Sequence, residues 1–426
     1  VRFCCRVSGR CSTPLKSTDS AAAASKSRLG WMVDLVIAGA GPQALTLCCL
    51  LLQKRPRWRR RLRILDPSGS WLSRWQRQME CYEIPWLRSP SPHHPHPNPH
   101  ALRNFAHSQQ RNRQLEGPYG LPHTDLFGDF CRHVISEYQL NEGVQATSVE
   151  HIRLPQVGSG PMQLALSDGT TVAAGRLVIA TGSGTPQLPS WAGAISGNYP
   201  PEALQHSDRI HLPSLHQLQG KRILIVGGGL TSAHLALGAL RRGALVHLLC
   251  RRTLKHKPFD ADPGWLGPKY LKDFHAEPCM QRRHRQVLEA RDGGSITPET
   301  AAQLRQAQRG GALRMNEHCE VSSAQWCSDQ WTLPCMNGYE LEADRIWLAT
   351  GHRQGVSQHP LVRQLQQQRS IELVNDWPVL ASDLSWPGTA VHVTGGLSAL
   401  QIGPAARNLF GGREAAQRIC RAVIKH

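Results

Sequence analysis

Gly39-Ala40-Gly41-Pro42-Gln43-Ala44 follows the apolar run Val33-Asp34-Leu35-Val36-Ile37-Ala38, and Gly227-Gly228-Gly229-Leu230-Thr231-Ser232 follows Arg222-Ile223-Leu224-Ile225-Val226. Each stretch reads as a strand entering a helix through a glycine-rich turn. Glycine stands where the backbone turns tightly and where a phosphate must approach the main chain. The helix beyond opens with free N–H groups and the positive end of its dipole facing that anion. One such fingerprint is a weak signal. Two, each after a strand and followed by a residue suited to a ribose, are a strong one. Two dinucleotides on one polypeptide imply that electrons pass between them.

The two ribose readers differ. The strand Leu62-Arg63-Ile64-Leu65 ends at Asp66, 27 positions after Gly39. The usual spacing is about 20, and the basic loop Lys54–Arg63 accounts for the excess. A carboxylate there accepts hydrogen bonds from an adenosine ribose, as FAD or NAD offers. After the second fingerprint, Val246-His247-Leu248-Leu249-Cys250 ends in Arg251-Arg252, with Arg251 24 positions after Gly227. A guanidinium at that place pairs with a ribose 2′-phosphate and selects NADP over NAD. The alternative is two solvated arginines in a basic protein. Ala44 takes the third-glycine place of the first fingerprint, and Ser232 that of the second.

An apolar strand runs into Ala180-Thr181-Gly182, and another, Arg345–Leu348, into Ala349-Thr350-Gly351. The repetition at equivalent places carries weight. Small residues there let the chain cross close to a cofactor and switch between domains, which adds Thr181, Gly182, Thr350 and Gly351 to the candidate binding residues. A helix is expected from Asp125 to Tyr138 with Thr124 as its cap, and hairpin strands over 143–154 and 162–172. Residues 67–109 read as irregular, and a polar insertion runs from Thr253 to about Asn316. The expected organisation is a non-structural extension over 1–32, a first dinucleotide domain over 33–215, a second over 216–345, and the remainder of the first over 346–426.

The chain has 426 residues, 40% of them hydrophobic, and a formal net charge of +18. No nucleic-acid module accompanies the basic loop, so it reads as a solvated cationic surface, or as a field that steers anionic NADPH. The thirteen cysteines are scattered, with no C-x-x-C, which points away from a zinc ribbon or a redox dithiol and toward a reducing cytoplasm. Val33–Leu52 has the length of a membrane span but contains Asp34, Gly39, Gly41, Pro42 and Gln43, where the fingerprint needs its turn. The first thirty residues have the composition of an organelle transit segment. An over-extended gene start is preferred, because the chain opens on Val and Met32 directly precedes the first strand.

From Val33 onward these motifs resemble the two-dinucleotide-binding-domain flavoproteins. The resemblance implies an α/β fold of two Rossmann-like three-layer domains, the NAD(P) domain inserted in the FAD domain. It places FAD at the first fingerprint, NADPH at the second, and Gly395-Gly396 with Gln401–Pro404 closing around the flavin. Within the family, the missing dithiol argues against disulfide reductases. Class B flavin monooxygenases share a Phe-x-Gly-x-x-x-His-Ser element, and here His206-Ser207 begins 21 residues before Gly227, with Pro200 and Glu202 in place of Phe and Gly. Trp75-x-x-x-Met79 and Leu87-Arg88-Ser89-Pro90 resemble the flavin-lining segment of lysine and ornithine N-hydroxylases, although Gln76, Arg88 and Ser89 replace the His, Lys and Asp of those enzymes. That likeness makes Arg88 the candidate catalytic residue, orienting a carboxylate substrate or stabilising the peroxyflavin.

The tract His93-His94-Pro95-His96-Pro97-Asn98-Pro99-His100 lacks acid or cysteine partners at ligand spacing and reads as a rigid loop rather than a metal centre. The leading expectation is an NADPH-dependent FAD monooxygenase acting on a small nucleophile such as an amine or sulfide, without nucleic-acid or membrane partners. The alternatives are an NADPH-linked flavin reductase feeding a carrier or quinone, and a flavin-bound redox sensor without turnover.

Overall fold

The computed structural model describes residues 32–156, 160–182 and 184–424. The expected N-terminal extension lies, apart from Met32, outside the described residues. The first unit begins with β1 (Val33–Ala38), α1 (Pro42–Lys54) and β2 (Leu62–Leu65). Leu35, Val36 and Ile37 are fully buried, as expected of a parallel strand covered on both faces. In α1 every residue from Ala44 to Leu52 is buried, so it is apolar all round and sits between layers. The apolar stretch Val33–Leu52 is thus a strand, a turn and a helix. No helix among the described residues is long and apolar enough to cross a membrane.

Next come α2 (Ser73–Cys81), α3 (Thr124–Glu137), β3 (Val144–Gln145), β4 (Val149–Arg153), β5 (Met162–Leu166) and β6 (Thr171–Ile179). Two expectations are corrected. Residues 67–109 are not all irregular, since they hold α2 and the helix Ala101–Ser108. The cap of α3 is His123, whose Nδ1 accepts from the Asp125 amide, and Thr124 is the first helical residue. β6 is one unbroken strand. Its first half pairs antiparallel with β5 (Met162 opposite Ala174), and its second half runs parallel to β1 (Ala38 opposite Ile179).

The second unit is a parallel sheet, and its stretch of chain holds β7 (Leu204–His206), β8 (Arg222–Val226), α4 (Leu230–Arg241), β9 (Leu245–Leu249), α5 (Met280–Arg291), α6 (Pro298–Arg309), β10 (Leu313–Asn316) and β11 (Arg345–Leu348), with strand order β7-β11-β8-β9-β10. α4 and α6 pack together beside this sheet, whereas α5 turns back onto the core of the first unit. The boundaries expected at 215/216 and 345/346 shift accordingly. β7 pairs with β11 through Leu204–Ile346 and His206–Leu348, so the second sheet starts before residue 216 and a cut at 345 would split one of its strands. The chain then returns to the first unit, where β12 (Val391–Val393) pairs parallel with the end of β6 as the seventh strand of a sheet whose other six run β3-β2-β1-β6-β5-β4. The closing helix α7 (Leu409–Ile424) packs on α1.

Candidate active site

Both fingerprint turns are built the same way. The Gly39 amide donates to the Leu65 carbonyl at 2.7 Å, and the Gly227 amide to Leu249 at 2.9 Å. In the neighbouring strand, Ala180 donates to Ala38 at 2.8 Å and Ala349 to Val226 at 2.9 Å. Each Ala-Thr-Gly therefore crosses directly against the first glycine of a fingerprint. A Cβ on Gly39 would begin 2.6 Å from the Ala180 carbonyl oxygen, and one on Gly227 would collide with that of Ala349. Gly41 and Gly229 are the N-caps of α1 and α4, and neither helix has a side-chain cap or an acid in its first turn. A Cβ on either would meet nothing within 4 Å. Open space before an uncapped, unopposed helix terminus is the cradle a pyrophosphate needs.

Asp66 braces the first cradle: one carboxylate oxygen accepts from the Ala40 amide at 3.0 Å, the other from the Ser68 amide and hydroxyl at 3.0 and 2.6 Å. Gln43, which the motif reading passed over, donates to the Ala406 carbonyl at 3.0 Å, tying α1 to the C-terminal loop. Its Oε1 is buried with no protein donor, next to Gly395, and an unmatched acceptor in that position suits a hydrogen-bonding cofactor. Ala44 is buried as helix packing. Ser232 is fully buried and its hydroxyl donates to the Gly229 carbonyl at 2.6 Å, so it closes the first turn of α4 tightly and does not loosen the packing there.

At the second reader, Arg251 is 65% exposed, with Glu320 3.9 Å away. Arg252 instead donates to the carbonyls of Asp292 and Gly293. His352-Arg353, directly after the second Ala-Thr-Gly, pair with Thr185-Pro186, a little beyond the first, and join the units as a ribbon, with Pro186 opposite His352 and Thr185 opposite Arg353. The Thr350 hydroxyl donates to Gln187, and Thr181 Oγ1 lies 2.8 Å from His359 Nε2. Because His359 Nδ1 accepts from the Val362 amide, Nε2 carries the proton and donates to Thr181. Gly182 and Gly351 both turn with positive φ.

A cleft of about 1190 Å³ opens along the second cradle and runs to the C-terminal loop, roomier than the 300–1,000 Å³ of ordinary ligand pockets. Gly227, Gly229, Arg251, Arg252, Thr350 and Gly351 line it on one side, and Gly396 on the other. Met79 reaches its wall, whereas Trp75 packs 5.3 Å from Phe127. The remaining candidates, Gly39, Gly41, Ala44, Asp66, Thr181, Gly182, Ser232 and Gly395, lie outside this lining.

Arg88 requires a correction. It borders the cleft, but its guanidinium is spent on protein. Nε donates to Pro258, Nη1 to Ser295 and Asp260, and Nη2 to Lys257, Phe259 and the Ser295 hydroxyl. With every N–H committed, it fastens the 257–260 and 295 segments rather than orienting a substrate. Asp260 is also 3.5 Å from Arg291, and Arg407 stands nearby in the C-terminal loop. No motif marked Asp260, Arg291 or Arg407, because they converge only through the tertiary fold.

The histidine tract disperses. His94 packs 5.0 Å from Phe130, His93 5.5 Å from Phe410, and His96 3.3 Å from Glu137. Burial pushes His93 and His94 down to about 4, so both are neutral packing groups. A different trio converges at the ribbon: Asp208 is 2.7 Å from His352 and 3.7 Å from His206, whose Nε2 is 3.1 Å from the Gly351 carbonyl. The His-Ser element singled out in the sequence is thereby anchored to the second Ala-Thr-Gly.

A turn-and-helix cradle doubled in one chain, with two sheets joined by paired linkers, defines an FAD- and NAD(P)-binding oxidoreductase. The chain belongs to the pyridine nucleotide-disulphide oxidoreductase family, whose pattern matches residues 93–351. Its fold is similar to that of the ornithine N-hydroxylase of Kutzneria sp. 744 (TM-score 0.75, 16% identity, covering 92% of this chain and 99% of that one). It is also similar to the ornithine hydroxylase of Pseudomonas aeruginosa (0.73, 18%, 93% and 100%). A third solved relative is the cadaverine monooxygenase of desferrioxamine biosynthesis from Erwinia amylovora (0.74, 17%, 93% and 95%).

Proposed function

We propose that this chain is an NADPH-dependent FAD monooxygenase that oxidises a small amine. The observation that carries the reading is the cleft itself: it runs from the second cradle to the C-terminal loop of the first unit and, among the described residues, holds no thiol pair poised for exchange. Cys250 and Cys319 border it. Burial pushes Cys250 up to about 11, and its Sγ donates to the Gly227 carbonyl. Cys335, which faces Cys319, is raised to about 12. Protonated thiols are poor nucleophiles, so electrons have no sulfur relay to leave by. The whole-chain likeness to amine hydroxylases supports the amine as acceptor.

Bound FAD would supply the chemistry of hydride acceptance and oxygen activation. The protein's part is placement. Gly41 and the start of α1 would hold the FAD pyrophosphate, Asp66 its ribose, and Gln43 Oε1 would accept from it. Gly229 and the start of α4 would hold the NADPH pyrophosphate, with Arg251 on the 2′-phosphate. The cleft walls, including Met79 and Trp377, would keep water from the reacting centre. A cytoplasmic setting belongs to the same proposal, since the ten described cysteines are all free.

The carrier-reductase alternative gains nothing from the basic loop. That loop enters β2 at Leu62, where the Leu35 amide meets the Arg61 carbonyl, at the edge of the sheet away from the fingerprint. Ligands of such sheets bind at the opposite, carboxyl ends of the strands, so neither a carrier docked there nor NADPH steered there would approach the cleft. The test is stoichiometric. Purified flavoprotein is reduced anaerobically with NADPH, oxygen is admitted, and oxidised product is compared with hydrogen peroxide across a panel of amines and sulfides. Product matching NADPH consumed supports the reading. Peroxide matching NADPH with every compound overturns it.

A further inference from the structure

Arg407 is surrounded by protein on nearly every side, yet its side chain stays accessible, because the space it faces is the cleft. Among the described residues, no acceptor lies within hydrogen-bond or ion-pair distance of its guanidinium. Its charged neighbours are Arg291 and Asp260. Both Asp260 oxygens are already engaged, Oδ1 by Arg88 at 3.1 Å and Oδ2 by Arg291 at 3.5 Å. Arg291 spends a further N–H on the Pro404 carbonyl at 2.9 Å. Three guanidinium groups thus share one carboxylate, and the one left over points into the cavity. Burial and the Arg291 charge push Arg407 down to about 10, still well above neutrality, so the group is a cation with no counter-charge of its own. Open to the cleft and unpaired, the guanidinium is available to an anion that enters there.

We propose that Arg407 is the anchor for a carboxylate on the substrate, so that the amine oxidised here is an amino acid rather than a diamine. The inference rests on the amine monooxygenase reading and extends it to a substrate class. The phosphates of two dinucleotides already have places, at the starts of α1 and α4 and beside Arg251. Arg407 comes from a different segment, the C-terminal loop, and shares the cleft with Asn408, His284 and Trp377. A free guanidinium offers two parallel N–H groups, which match a carboxylate bidentately. A diamine carries the same two ammonium groups without the carboxylate, so it meets the local excess of positive charge with nothing to offset it.

Two matched pairs isolate the carboxylate: L-lysine against cadaverine, and L-ornithine against putrescine. Calorimetric titration of the FAD-loaded enzyme should show each amino acid binding at least about tenfold tighter than its diamine. Arg407→Gln should bring that ratio to about one, Arg407→Lys should keep most of it, and both should leave the NADP⁺ dissociation constant within about twofold. Equal or tighter binding of the diamines to the wild-type enzyme overturns the proposal, as does failure of all four compounds to bind. A large loss of NADP⁺ affinity in Arg407→Gln with an unchanged amino acid-to-diamine ratio assigns the residue to a cofactor phosphate and also overturns it. If Arg407→Gln fails to retain FAD, the wild-type ratio and the Lys variant still decide. Oxygen transfer is measured separately, so binding without hydroxylation counts against the proposed reaction and leaves the anchor standing.

Discussion

The Ala180 carbonyl oxygen stands 2.6 Å from the point where a side chain on Gly39 would begin, and Gly39 itself turns with φ +101°. Ala349 holds the same relation to Gly227. In each unit the fingerprint therefore packs backbone against backbone on its linker, so the strand that carries the chain away from a unit also fixes that unit's turn.

Gly39 and Gly41 should consequently respond differently to substitution. Gly39→Ala meets both backbone strain and the Ala180 carbonyl, so the flavin-free protein should lose roughly 2–3 kcal/mol of stability. Gly41→Val enters open space with extended backbone angles, so it should leave flavin-free stability nearly unchanged while abolishing FAD retention. Denaturant melts of deflavinated protein, with the absorbance ratio of visible to ultraviolet bands for occupancy, separate the two. Equal melts would show that the close approach of 180 to 39 has no energetic weight.

The two arginines of the second reader should also divide their roles. Arg251 is free to meet a phosphate, and Arg251→Ala should weaken NADPH by roughly 1.5–3 kcal/mol with little change for NADH. Arg252 holds the 292–293 turn, and Arg252→Ala should affect both nucleotides alike. Steady-state Michaelis constants for the two cofactors provide the comparison. A selective loss of NADPH in Arg252→Ala and not in Arg251→Ala would reverse the assignment.

Arg88→Gln should act on folding more than on chemistry. It strips the donors from Asp260 and the 257–259 and 295 carbonyls, and leaving those acceptors unmatched costs about 1–3 kcal/mol. Limited proteolysis should open the 253–316 segment early, and the melting temperature should fall. A stable variant with normal substrate affinity and depressed turnover would instead restore Arg88 to the reaction.

Acid should loosen a joint between the two units. Glu83, just beyond α2, accepts from Arg242 and Arg241 of the second unit, each at 2.5 Å. Those hydrogen bonds, from Arg242 foremost, hold its carboxyl at about 2 against an ordinary 4.5. The ionised form is the favoured one in the folded chain, so its contribution is complete above about pH 4.5 and fades as pH falls toward 2. The ion pair is largely solvated, so Glu83→Gln should cost about 1 kcal/mol at pH 7, with the gap to wild type closing by about pH 2. Urea titrations of both proteins at several pH values track it, and a gap independent of pH would remove Glu83 from the joint.

The sequence made the repeated parts plain, because they obey local rules. A glycine turn between an apolar strand and an apolar helix is written in consecutive residues, and α4 falls at Leu230–Arg241 where the pattern places it. Elements without such signals were hidden. α2 has mostly polar residues and starts after Leu72, a left-handed non-glycine with no capping side chain. α5 ends on Asp292, likewise left-handed, where glycine would have announced a stop. At the cleft, Arg88 carried a motif resemblance, but its partners lie some 170 positions or more away, and only the folded chain shows that its donors are exhausted. The group of Asp260, Arg291 and Arg407 comes from the insertion and the C-terminal loop, and no local spacing ties them together.

The seating of β12 against β6 has a consequence for synthesis. Val391 meets Leu177, so the sheet that starts first is finished by a strand made after the whole second sheet, while the sheet from Leu204 to Leu348 draws on one continuous stretch. At about 5–20 residues per second, the later-starting sheet can close while the earlier one still waits for its final strand and for α7 to cover α1. Birth order and folding order are thus reversed, and the nascent first unit presents the apolar face of α1 until α7 has been made. That interval is when the chain depends most on chaperones.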